Sequence, residues 1–90
     1  MHSKIKIKVE YIMEEKIKTI FNVNNFHYDY NIIDDNNVEV EVIDGDWKHD
    51  HLRLELIMKK NLFFVTDREI IDESFDDSYS CRYKFTYLLN

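Results

Sequence analysis

Trp47-Lys48-His49-Asp50-His51-Leu52-Arg53-Leu54-Glu55-Leu56-Ile57-Met58-Lys59-Lys60-Asn61 is the stretch on which the fold turns, because its apolar residues satisfy two periods at once. Leu52, Leu54 and Leu56 alternate as in a strand, whereas Trp47, His51, Leu54 and Met58 share one stripe of a helix. Three features favour the helix. Asp46, or Asp44, stands where it can cap a helix beginning at Trp47; Lys59 and Lys60 occupy the end where a helix dipole favours cations; and the stretch is long for a strand. Trp47 then becomes a first-turn anchor in the core. Read as a strand, the same residues would leave a single helix wrapped by a long meander, as in cystatin-like folds.

Upstream of this stretch the period is two. Phe26, Tyr28, Tyr30 and Ile32 alternate with His27, Asp29 and Asn31, and Val38, Val40 and Val42 alternate with Glu39 and Glu41. Asp34-Asp35-Asn36-Asn37 between them are turn formers, so the spacing predicts a β-hairpin with one apolar and one acidic-polar face. Further upstream, Met13, Ile17, Ile20 and Phe21 follow a helical period, with Glu14, Glu15, Lys16 and Lys18 on the other face. Asn22, Asn24 and Asn25 end that helix, since asparagine tolerates left-handed backbone. Ahead of it, Ile5, Ile7, Val9 and Tyr11 alternate with Lys4, Lys6, Lys8 and Glu10 and predict a first strand over 4–11.

Downstream, strand resumes at Leu62-Phe63-Phe64-Val65-Thr66, the acidic residues 72–78 read as a loop, and Tyr79, Cys81, Tyr83, Phe85 and Tyr87 form one face of a last strand. The predicted order is β-α-β-β-α-β-β in a single α+β domain spanning 1–90. Such an order implies an antiparallel sheet with two helices on one face, a ferredoxin-like split βαβ with an added C-terminal edge strand. An edge strand with so aromatic a face also invites pairing with a copy of itself, hence a homodimer.

Composition narrows the function classes. A formal charge of −6 opposes direct nucleic-acid binding, whose affinity comes from neutralising phosphates. The apolar runs are far shorter than the roughly 20 residues of a membrane span, and Met1-His2-Ser3 leads straight into polar alternation rather than a signal region. A soluble, cytoplasmic protein is the expectation. The single Cys81 cannot form an intramolecular disulfide and suits a reducing compartment, where it serves as a small buried hydrophobe.

Candidate chemistry is sparse. His49, Asp50 and His51, with Asp44 and Asp46 nearby, offer ligands to a metal, but on a helix His49 and His51 lie about 200° apart, and His51 with Glu55 makes the better pair. Cys81 with a histidine is a possible nucleophile–base dyad, in a strand interior that suits one badly. Neither cofactor nor catalytic residue is assigned. The acidic residues carry more. Asp34, Asp35, Glu39, Glu41, Asp67, Glu69, Asp72, Glu73, Asp76 and Asp77 are the candidate partner-binding set, a field that attracts a basic protein surface and competes with its nucleic acid.

Gly45-Asp46-Trp47-Lys48-His49-Asp50-His51-Leu52, with Asp76-Asp77-Ser78-Tyr79-Ser80, resembles segments of a small uncharacterised group of bacterial and phage proteins. In size and acidity the chain is also similar to anti-CRISPR proteins, which are short, acidic and unrelated to one another. Size, acidity and the missing catalytic constellation lead to the expectation of a non-enzymatic binding protein, a phage or mobile-element inhibitor that occupies a basic groove of a host factor in the host cytoplasm. A small metal-binding protein or metal-dependent enzyme centred on His49, Asp50 and His51 is the alternative.

Overall fold

Residues 4–11, expected as the first strand, are helical and form the front of α1, His2–Val23. The computed structural model describes residues 2–45, 49–75 and 78–90, and for residues 2–11 the backbone alone. Helix nucleation is costly and propagation is not. Once Met13, Ile17, Ile20 and Phe21 are buried as one stripe, the helix extends back through a segment free of Gly and Pro and rich in Lys. The interior places of the sheet are taken by residues 37–45 and 80–89, so that segment has no interior place to fill.

α1 ends as the asparagines predict. Asn25 has φ 56°, the Phe26 N–H donates to the Phe21 carbonyl at 2.8 Å, and the Asn25 N–H donates to the Asn22 carbonyl at 3.3 Å. This pair of bonds closes a Schellman motif, and the Phe21 and Phe26 rings supply its apolar contact edge-to-face at 5.8 Å.

The chain then forms β1 (Asp29–Ile32), β2 (Asn37–Gly45), α2 (Asp50–Lys60), β3 (Phe63–Ser74) and β4 (Ser80–Leu89). Among the described residues four antiparallel strands lie in the order β1-β2-β4-β3. β2 and β3 therefore run parallel with β4 between them, so β2-α2-β3 is a split βαβ. The α+β class, with two helices on one face of an antiparallel sheet, is as the sequence implies. Residues 50–60 are helix, which removes the cystatin-like alternative. Trp47 and its assignment to the core lie outside the described residues.

β4, expected at an edge, is interior. Tyr83, Phe85 and Tyr87 pair on one side with Val42, Val40 and Val38, and on the other with Ile70, Arg68 and Val65. Between two neighbouring strands and beneath a helix, a strand with that much aromatic surface is taken out of water. Phe85 and Tyr87 are buried, packed with Val38, Val40, Leu54, Met58 and Phe63. Burial of each such side chain contributes about 1.5–3 kcal/mol. The self-pairing edge imagined for this strand is consequently absent.

β3 is the second departure. It runs on from the expected 62–66 to Ser74, into the front of the acidic 72–78 stretch expected as a loop, and Thr66–Glu73 are exposed. Its register shifts between Val65 and Asp67 and again between Ile70 and Asp72, so Thr66 and Ile71 are extra residues in bulges. Acids on both faces and two bulges describe an edge strand protected against pairing with another chain.

Two local features have measurable consequences. Leu62 follows α2 with φ 67°, a conformation that costs a non-glycine residue about 1–2 kcal/mol. Leu62→Gly is expected to raise stability by about 0.5 kcal/mol, once the greater unfolded-state freedom of glycine is subtracted, as read by denaturant unfolding. The Tyr87 hydroxyl is buried with no hydrogen-bond partner among the described residues, and burial, reinforced by nearby Glu55, pushes its pKa up. Tyr87→Phe is expected to be neutral or to stabilise by up to about 1 kcal/mol; a loss of that size would reveal a bond to this hydroxyl.

Candidate functional site: an open acidic sheet face

Alternation divides the sheet cleanly. Val38, Val40, Val42, Tyr83, Phe85 and Tyr87 turn toward the helices, so their neighbours in sequence form the opposite face. By register this open face carries Asp29 on β1, Glu39 and Glu41 on β2, Asp67, Glu69 and Asp72 on β3, and Arg82 and Lys84 on β4. Six carboxylates stand against two cations.

The cations occupy the middle of the face. Lys84 Nζ lies 3.5 Å from Glu39 Oε2 and 3.8 Å from Glu69 Oε2, and Arg82 Nε lies 3.8 Å from Glu41 Oε2. Asn31 donates to Glu39 Oε1 at 3.3 Å. Exposed pairs of this kind contribute about 0–1 kcal/mol each, so they organise the side chains without cancelling the field. Four strands spaced about 4.8 Å apart put the acids within roughly 15 Å of one another. With a screening length near 8 Å at physiological salt, the potentials of neighbouring acids such as Asp29 and Glu41 add, while those of acids at opposite edges are largely screened from one another. Asp29 also stands directly opposite Glu41, a like-charge pairing that destabilises a sheet.

Of the sequence-predicted partner residues, Glu39, Glu41, Asp67, Glu69 and Asp72 are thus brought together, and Asp29 joins them unforeseen. The others are not. Asp34 Oδ1 accepts the N–H groups of Asn36 and Asn37, both at 2.8 Å, and Asn37 Nδ2 donates to it as well. These bonds hold its carboxyl below the usual carboxylate range and make it the organiser of the β1–β2 turn. Asp35 is exposed in that turn, Glu73 pairs with Cys81 on the opposite face, and Asp76 and Asp77 lie outside the described residues.

The histidine segment comes apart as a metal centre. His49 is exposed, Asp50 turns to the Tyr28 hydroxyl, and His51 turns to Asp44. Asp44 is the buried acid among the described residues, in phase with Val38, Val40 and Val42. Its Oδ1 accepts the His51 backbone N–H at 3.2 Å, and its Oδ2 meets His51 Nδ1. His49, at the cap position of α2, makes no side-chain cap bond, and Asp44 supplies that acceptor from the end of β2. The imidazole stacks on Phe85 at 6.0 Å between centroids and contacts Tyr83 at 5.1 Å. Sequence reasoning offered Asp44 as a cap for this helix and as a nearby ligand, missed its burial and its bond to the His51 ring, and paired His51 with Glu55 instead.

Cys81 pairs with Asp44 in register and is fully buried, with the Tyr79 and Tyr83 hydroxyls as its hydrogen-bond neighbours. Among the described residues no group of three or more His, Cys, Asp or Glu could hold a metal ion, and no helix is long and apolar enough to cross a membrane.

Tyr28 gives an alkaline signature. Burial, with the Asp50 charge and hydrogen bond added, pushes its pKa from 10.0 up to about 12. A group raised on folding stabilises fully below its unfolded pKa and loses that contribution as pH climbs through the folded one. Stability is therefore expected to fall between about pH 10 and 12, less steeply in Tyr28→Phe, as followed by unfolding across that range. No protein-family model, curated protein or solved structure matches the chain.

Proposed function

We propose that the chain is a non-enzymatic binding protein whose open sheet face occupies a basic, nucleic-acid-binding surface of a partner protein. On this reading it acts as an anti-CRISPR-like inhibitor of phage or mobile-element type in the host cytoplasm. The observation that carries the reading is the concentration of Asp29, Glu39, Glu41, Asp67, Glu69 and Asp72 on one uncovered face. A sheet gains nothing in stability from like charges so placed, whereas a field of one sign steers an oppositely charged partner and excludes wrong ones. The single buried free cysteine suits a reducing compartment.

Capture from a host lysate at low salt, repeated at about 1 M salt, tests it. Screening there acts within about 3 Å, so a partner held by the face is expected to be released. A partner retained equally at both salts would remove the electrostatic reading.

A further inference from the structure

β2 outruns its neighbour. β1 pairs with residues Val38 to Glu41, whereas β2 continues to Gly45, paired there with β4 alone among the described residues. Two bonds fix which way its backbone points. The Ile33 N–H donates to the Asn37 carbonyl at 3.0 Å, and the Leu89 N–H donates to the Asn36 carbonyl at 2.7 Å. Odd-numbered residues of β2 therefore aim their N–H and C=O toward β1, and even-numbered ones toward β4. At Ile43 the strand that would receive those groups has ended.

The space beside that edge is a cleft of about 490 Å³. It exists because residues 25–28, drawn into the Schellman turn and against α2, leave the line that β1 follows. Ile43, Glu41 and Arg82 border it on the sheet side, and Tyr28, Asp50 and Arg53 on the helix side. Its cations are already engaged. Arg53 donates to the Asn24 carbonyl at 2.9 Å and lies over the Phe26 ring, and Arg82 is paired with Glu41. Asp29 and Glu41 close the end where the cleft meets the acidic face.

We infer that this slot takes an extended basic segment of the partner as an added strand, its backbone pairing with Ile43 and its Lys or Arg side chains lying along Asp29 and Glu41. The inference rests on the binding role proposed for the acidic face and names the form of the partner it receives. Unpaired strand edges recruit extended peptides through main-chain bonds, and the contrast between the edges of this sheet points to one place. The β3 edge is blunted by two bulges and charges, and β1 is four residues long. The cleft runs from Asp29 and Glu41 past Ile43, room for about two or three residues at roughly 3.3 Å each.

The test uses the full chain, a short soluble peptide alternating Lys and Val, and the same peptide with N-methylated backbone at alternate residues. A Glu/Val peptide serves as the charge control. The expected result is slowed hydrogen exchange at the Ile43 N–H on adding the Lys/Val peptide, at least tenfold weaker binding of the N-methylated form, and no protection by the Glu/Val peptide. Ile43→Pro removes the outward N–H without costing a bond to β4, and is expected to weaken Lys/Val binding at least tenfold while the fold persists. Equal binding of the methylated and unmethylated peptides, with Ile43 unprotected, would overturn the strand-addition proposal and leave the acidic-face reading standing. Equal protection by the Glu/Val peptide would overturn the basic assignment. Failure of the Lys/Val peptide to bind at low salt would overturn both.

Discussion

Asp44→Ala is expected to cost about 3 to 5 kcal/mol, the loss typical of breaking a buried hydrogen-bonded pair by removing one partner. Asp44 holds α2 to the sheet by two bonds at once, one to the His51 backbone N–H and one to the His51 ring. Its deletion leaves the first turn of α2 without that acceptor, worth about 1 kcal/mol as a cap, and strands an imidazole packed between Tyr83, Phe85 and the helix. Asp44→Asn is expected to fall between, since its carbonyl oxygen can still accept the backbone N–H while its amide nitrogen, unlike the second carboxylate oxygen, accepts no bond. Combining Asp44→Ala with His51→Ala should lose less than the sum of the two, with a coupling of about 1–3 kcal/mol. Additive losses in denaturant unfolding would show that the pair is not a unit.

The second large effect is on binding. Glu39→Gln, Glu41→Gln, Asp67→Asn, Glu69→Gln and Asp72→Asn together remove five carboxylates and leave Arg82 and Lys84, which turns the face from strongly negative to mildly positive. Association with a basic partner is expected to weaken about 100-fold, within the 10- to 1000-fold range by which surface fields alter encounter rates. Most of the loss should appear in the on-rate, and the salt dependence should flatten with it. Stability should stay within about 1 kcal/mol, because the ion pairs lost are exposed and the repulsion between acids goes too. A variant that melts like the parent and still binds like it would remove the face from the mechanism.

The sequence is most legible where local chemistry and global position agree. The hairpin of β1 and β2 shows itself because Asp34 is a turn residue whose carboxyl makes the turn, and because Val38, Val40 and Val42 keep strict phase. The α1 terminus is equally plain, with Asn25 in the left-handed conformation that asparagine tolerates. Residues 4–11 mislead because alternation records what a strand would bury, not whether a place in the sheet is open. β4, with Phe85 and Tyr87 facing Val40 and Val38, occupies the centre instead. Residues 72–74 mislead the other way, read as loop though they end β3, since an edge strand with both faces wet carries no apolar period.

The acidic face could be read in part from phase, because Glu39 and Glu41 lie out of step with the valines. Asp67, Glu69 and Asp72 could not, since two bulges shift their register. For Asp44 a signal was present. It continues the buried phase of Val38, Val40 and Val42, and a carboxylate on a core face demands a partner.

The most direct measurement is amide-shift mapping of the isotope-labelled chain on addition of the partner captured at low salt. The account predicts that the perturbed amides gather on the open face, at Glu39, Glu41, Glu69, Asp72, Arg82 and Lys84, and that raising salt reverses the shifts. Perturbation confined to His49, His51 and Tyr83, with those strand residues unmoved, would contradict it and transfer the function to the Asp44–His51 end of the molecule.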